Sequence, residues 1–154
     1  MRIIQTLVCL AIGVFFVACM KNTEEQQQAQ QESWEEMMEI HDEVMPKMSE
    51  ISRIRRELKA EMEALDSTQT EQMAAIDSTI ARLDRADIAM MNWMGDLQQL
   101  PELRQNNDHE QIMAYIEEER GKIAAVRMDM LNAIEQGKQM QAALKDNDAQ
   151  PAEQ

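Results

Sequence analysis

Residues 32–65 read ESWEEMMEIHDEVMPKMSEISRIRRELKAEMEAL. Within them Trp34, Met37, His41, Val44, Met48, Ile51, Arg55, Leu58, Met62 and Leu65 recur at alternating spacings of three and four. That is the heptad pattern that lays one stripe along a helix and buries it against partner helices. His41 and Arg55 are its polar members. Pro46 falls inside the stripe, where it has no N–H to give the carbonyl of Asp42, and so predicts a kink there. Because the pattern resumes in phase beyond Pro46, the expectation is a bend without a boundary. Six acids and no base lie between Glu32 and Glu43, a distribution that suits the positive end of a helix dipole.

Beyond this stretch, Asp66-Ser67-Thr68-Gln69-Thr70-Glu71 interrupts the period. Thr68 followed by Glu71 fits a capping box, with Ser67 a second cap candidate. A single uninterrupted helix is the alternative, and it leads to an extended coiled coil that dimerises. Met73, Ile76, Ile80, Leu83, Met90, Met94 and Leu97 form a second stripe, with Asp87 its odd member, ending near Leu100-Pro101. After a polar link with a cap expected at Asn107, the third stripe carries Ile112, Ile116, Ile123, Val126, Met130, Ala133, Met140 and Leu144. Glu119 and Gly137 occupy two of its apolar places, and Gly137 is a candidate for close helix approach. No stretch alternates like a strand. Three amphipathic helices of similar length, roughly 45–54 Å at 1.5 Å per residue, predict an all-α chain: an antiparallel three-helix bundle with coiled-coil-like packing over residues 32–145.

Upstream, residues 19–31 hold a glutamine-rich run with no apolar period, expected to be a flexible polar tether. Before it, Met1-Arg2 gives a positive start and Ile3–Ala18 is almost wholly apolar, ending in a small residue and Cys19. This is the layout of a secretory signal peptide over residues 1–18, and it is shorter than the ~20 apolar residues of a membrane-spanning helix. Phe16-Val17-Ala18-Cys19 resembles a bacterial lipobox, which makes Cys19 the expected lipidation site and the lipid membrane a partner. Phe16 and Val17 depart from the usual leucine and small residue. Cleavage before Cys19 also removes Cys9 and Arg2, leaving 29 acidic side chains against 14 basic ones and no thiol for a disulfide or zinc site. So acidic a body repels nucleic acid. Residues 146–154 are expected to be a disordered tail.

Fifteen methionines are the chemical signature of the chain. Met37, Met38, His41, Met45 and Met48 crowd one side of the first helix beside Trp34. Met90, Met91 and Met94 flank Trp93 on the second. An antiparallel hairpin turning near Thr68 puts Met45 opposite Met91 and His41 beside Met94 and Gly95. Thioethers with one imidazole are soft ligands for Cu(I), and an indole ring can cover such an ion. Methionine equally fills irregular core gaps or an adaptable partner groove. His41 is a natural partner for Asp42 or Glu39, and His109 for solvent. Arg55, Asp87 and Glu119 are candidates for polar pairing inside the bundle, setting register more than stability. The chain has no His-Glu-x-x-His, no phosphate loop and no nucleophile elbow, so no enzyme and no catalytic residue is expected.

The motifs Trp34-x-x-Met37-Met38-x-x-His41-Asp42-Glu43-Val44-Met45-Pro46-Lys47-Met48 and Ala86-Asp87-x-Ala89-Met90-Met91-x-Trp93-Met94 resemble a group of small helical lipoproteins of the Bacteroidota. Some of these are labelled after viral A-type inclusion proteins. Lys21 with Glu24 and Glu25 is similar to the signal that sends such lipoproteins to the cell surface. The resemblance implies an outer-membrane lipoprotein, periplasmic or surface-exposed, and carries no catalytic residues with it. The expected role is a structural or protein-interaction module with a protein partner or a weak homodimer. A Cu(I)-binding protein and a periplasmic holdase are the alternatives.

Overall fold

The computed structural model describes the backbone of residues 2–149 and the side chains of residues 23–146. The chain is all-α: α1 is Arg2–Val44, α2 Lys47–Ala64, α3 Thr70–Asp96, α4 Leu100–Asn106 and α5 His109–Ala149, with no strand among the described residues. The expected signal peptide, Cys19 and the first residues of the tether lie outside the residues whose side chains are described. Among the described residues no helix is long and apolar enough to cross a membrane. The chain divides into two compact units, one of Met1–Glu36 with Gln98–Glu117 and one of Met37–Leu97 with Glu118–Gln154.

In the larger unit the heptad emerges as full burial at every seventh residue. Met37, Val44, Ile51 and Leu58 are buried on α1 and α2, Ile76, Leu83 and Met90 on α3, and Ile123, Met130 and Leu144 on α5. The second line holds on α5 at Glu119 and Ala133 and on α3 at Ile80, but is rotated elsewhere on α2 and α3. Ile54 is buried where Arg55 was expected, and Ala86 and Trp93 where Asp87 and Met94 were. Each helix here meets two neighbours, which widens the apolar face beyond a two-stranded seam.

Side-chain pairs fix the directions of the helices in this unit. Lys138 Nζ lies 2.8 Å from Glu50 Oε1, and Gln141 Nε2 donates to Glu57 Oε2 at 2.6 Å, so α2 and α5 run the same way. Arg127 extends this register onto α1 through Glu43 at 2.9 Å. The Lys138 ammonium donates to the Glu50 carboxyl and lowers its pKa below the ordinary range. Helix α3 runs opposite to α5, for Thr70–Ala75 shares a depression with Met140–Leu144 while Arg82–Asn92 shares another with Asp129–Gln136. Gly137 marks the closest approach: a Cβ there would stand 2.6 Å from Ile54 Cγ2 and 3.6 Å from Leu83 Cδ1.

At Pro46 the expected bend is also a boundary. The helical ladder stops at Val44 and restarts at Lys47, although Pro46 itself stays right-handed helical at φ −61° and ψ −22°. Met45 N–H still donates to His41 O, while Met48 N–H turns to Met45 O at 3.2 Å. The missing proline N–H is absorbed by one tighter turn.

The turn after α2 forms, but without the expected threonine cap. Asp66 Oδ1 accepts from Thr68 N–H at 2.9 Å, Gln69 Oε1 accepts from Asp66 N–H, and α3 starts with Gln69 at its N-cap and no side-chain cap bond. Asparagine and aspartate compete for nearby backbone donors in this way. The Thr68 N–H holds the Asp66 carboxyl below its ordinary pKa.

The smaller unit corrects the tether. Residues 23–31 lie within α1. Glutamine and glutamate are good helix formers, and Gln28→Glu32 and Gln31→Glu35 bonds at 2.9 Å span one turn. The six acids therefore sit far from the start of their helix, not at a positive dipole end. Pro101 does not end a helix; it opens α4, in whose first turn a missing N–H costs nothing. Leu100 and Leu103 of α4 are buried, as are Ile112 and Ile116 of α5.

The cap of α5 is one residue later than expected. Asp108 Oδ1 accepts from Gln111 N–H at 2.9 Å and Gln111 Oε1 accepts from Asp108 N–H at 3.0 Å, a reciprocal box. Asp108→Ala is expected to lower stability by about 1 kcal/mol in urea unfolding followed by circular dichroism. Helix α5 continues to Ala149, so residues 146–149 of the expected tail are helical and the remainder lies outside the described residues.

Candidate functional site

The methionine-rich region of the larger unit separates into core and surface. Met37 and Met90 are fully buried, Met38, Met45, Met48 and Met94 are half-buried, and Met91 is 55% exposed. Adjacent residues on a helix point about 100° apart, so burying Met90 turns Met91 outward. Met91 is therefore not in the buried set.

His41 and Trp93 do meet. Their ring centroids are 5.6 Å apart with planes inclined at 32°. His41 Nδ1 donates to Asp42 Oδ1 at 2.8 Å, which leaves Nε2 as the free ring nitrogen for any ligand. Trp93 is 5% exposed and its Nε1–H is buried with no hydrogen-bond partner. It is a core residue, and Trp34, half-buried, belongs to the smaller unit. Among the described residues no group of three or more His, Cys, Asp or Glu side chains is arranged to hold a metal ion.

The polar candidates resolve into separate pairs. Arg55 Nη1 donates to Asp84 Oδ1 at 2.6 Å and to Asp87 Oδ2 at 3.4 Å, tying α2 to α3. The hydrogen bond to Asp84 is the main reason the Arg55 pKa is raised. With its side chain 24% exposed, Arg55 sits at the rim of the core. Glu119 is buried but does not reach Arg55; its partner is Lys122 at 2.8 Å, one turn away on α5, which also meets Glu118 at 2.7 Å. These two carboxylates raise the Lys122 pKa.

Two features carried no signal in the stripes. In the smaller unit, buried Gln30 accepts from Arg104 Nε at 2.9 Å and contacts His109 Nδ1 at 3.2 Å, and Arg104 Nη2 donates to Gln27 O. With Gln30 Oε1 taken by arginine, its amide N–H donates to Nδ1. His109 is thus a structural acceptor, not a solvated terminus.

The second feature is a groove between α3 and α5 in the larger unit, lined by Arg82, Arg85, Ile88, Asn92, Asp129 and Asn132 among others. The large apolar side chains left exposed among the described residues are Ile88, Met91, Met128 and Leu131. All four belong to these two helices, and of them Ile88 lines the groove. Its place off the apolar stripe of α3 was the available clue. No family model matches the chain, and no curated protein or solved structure is significantly similar to it.

Proposed function

We propose that the chain is an envelope lipoprotein, acylated at Cys19, whose body acts as a structural or protein-interaction module. The body is an antiparallel three-helix bundle with coiled-coil-like packing, in which α1 with α2, then α3, then α5 form the three legs. Burial at every seventh residue and the up-down-up directions set by Glu50–Lys138 and Arg55–Asp84 support this architecture. Kinship with the helical lipoproteins of the Bacteroidota rests on the Trp34–Met48 and Ala86–Met94 motifs.

The observation that carries the interaction role is the groove between α3 and α5, on whose wall Ile88 stands 55% exposed between the Arg82 and Arg85 guanidiniums and the Asp129 carboxylate. An exposed isoleucine alone is ordinary on a protein surface; set in a concave groove between charges of opposite sign it suits a contact face. The soft-metal alternative has less behind it, since Met91 faces solvent and Met37 and Met90 are packed in the core. Anchorage is tested by palmitate labelling and fractionation of cells expressing the wild type and Cys19→Ala. The wild type is expected to take up label and sediment with membranes, and the variant to lose the label. A wild type without label overturns the lipoprotein assignment.

A further inference from the structure

We propose that the α3–α5 groove is the contact face of a homodimer, closed by the same groove of a second copy of this chain. This deepens the interaction-module role and rests on it.

The groove is polar at both ends and of opposite sign. Arg82 and Arg85 line one end and Asp129 the other, with Ile88 between them. Both arginines are exposed, and neither is joined to a carboxylate among the described residues. Glu135, which flanks the basic end, is taken by Gln139 Nε2 at 2.8 Å.

The levels of these groups follow from Leu83, whose Cδ1 stands 3.6 Å from where a Cβ on Gly137 would lie. In antiparallel helices each step forward on one matches a step back on the other. Counting from that pair, Ile88 is level with Asn132, and Met91 is level with Asp129. Arg85 and Asp129 therefore stand at levels equally far from Ile88, each about 4.5 Å along the axis at 1.5 Å per residue.

A two-fold axis crossing the helices at Ile88 exchanges these levels. It sets Arg85 of each copy at the level of Asp129 in the other, and it brings the two Ile88 side chains together at the centre. Ile88 of each copy then leaves water, as an isologous interface requires of one self-complementary patch. Two guanidiniums meet carboxylates on a chain whose formal net charge is −14, which otherwise repels its own copies. The pairing thus selects this face over the acidic ones.

The test uses the full chain in a Cys9→Ser, Cys19→Ser background, which removes both native thiols. Adding Ile88→Cys is expected to give a disulfide-linked dimer under mild oxidation, while Ser78→Cys does not. In sedimentation equilibrium, Arg82→Glu with Arg85→Glu is expected to weaken dimerisation roughly tenfold or more, about 1.4 kcal/mol. Adding Asp129→Arg restores it, because the charges are then exchanged on both sides of the axis. A chain that stays monomeric up to about 100 μM, a concentration reached by weak but specific pairs, overturns the proposal. So does a dimer indifferent to the groove charges, or Ile88→Cys no more readily linked than Ser78→Cys. Neither result alters palmitate uptake by the native Cys19 chain, so failure of the dimer and failure of the lipoprotein assignment are read separately.

Discussion

Trp93→Ala is expected to cost about 3–5 kcal/mol of stability, the range for deleting a large buried aromatic side chain. Trp93 is 5% exposed and its ring packs beside His41 at 5.6 Å, closing the end of the core where α3 lies against the C-terminal part of α1. Trp93→Phe separates packing from hydrogen bonding. The indole Nε1–H is buried without an acceptor, so replacing it by a hydrocarbon edge removes an unsatisfied donor as well as some volume. The phenylalanine variant is expected to lose no more than about 1–2 kcal/mol, the volume loss being partly offset. Urea unfolding of the two variants beside wild type measures both. An alanine variant within about 1 kcal/mol of wild type would mean that Trp93 is not in a packed core.

Gly137→Ala is expected to destabilise by about 1–3 kcal/mol, although alanine is the better helix former by about 1 kcal/mol. The new methyl would lie 2.6 Å from Ile54 Cγ2. Ile54 is fully buried and β-branched, with essentially one side-chain rotamer available in a helix, so its methyl cannot swing aside. The helices must separate instead, and that loosens neighbouring contacts of Ile54 and Leu83. Gly121→Ala is the internal control. Nothing lies within 4 Å of a Cβ at Gly121, so there the propensity gain stands alone and stability is expected to rise by about 0.5–1 kcal/mol. Opposite signs from the same substitution on one helix would locate the close approach at Gly137. Equal and stabilising effects would remove it.

The centre of each stripe was legible because one apolar residue in seven must be buried whatever the partners are. Met37 to Leu58, Ile76 to Met90 and Ile123 to Leu144 required only the period. The flanks were legible at Ile80, Glu119 and Ala133 and not at Arg55, Asp87 or Met94, since a residue such as Arg55 or Ile54 becomes rim or core according to where the second neighbouring helix lies. Composition alone cannot place that neighbour. Gly137 was readable as a candidate for close approach because a heptad place without a side chain invites one.

The glutamine run was misread for a different reason. Its helix is held by i,i+4 bonds to glutamates and by Gln30, whose partners Arg104 and His109 lie far along the sequence. Nothing local to residues 23–31 announces those partners. The cap at Asp108 was missed by one residue, because Asn107 with Glu110 satisfies the same short pattern as Asp108 with Gln111 and only geometry chooses. In the candidate site, the hairpin register took His41 to the right end of α3, beside Met94 and Gly95, but the ring it meets there is that of Trp93. The outward turn of Met91 required knowing that Met90 and Trp93 define the inner face of α3. The groove between α3 and α5 draws its walls from both helices and was visible only once both were in place.

Intact-mass measurement of the native protein tests most directly whether this helical body is held at a membrane by lipid. Extracted from membranes in detergent, the chain is predicted to begin at Cys19 and to exceed the polypeptide mass by its acyl chains. A protein that begins at Met1, carries no acyl mass and stays in the soluble cytosolic fraction would contradict it.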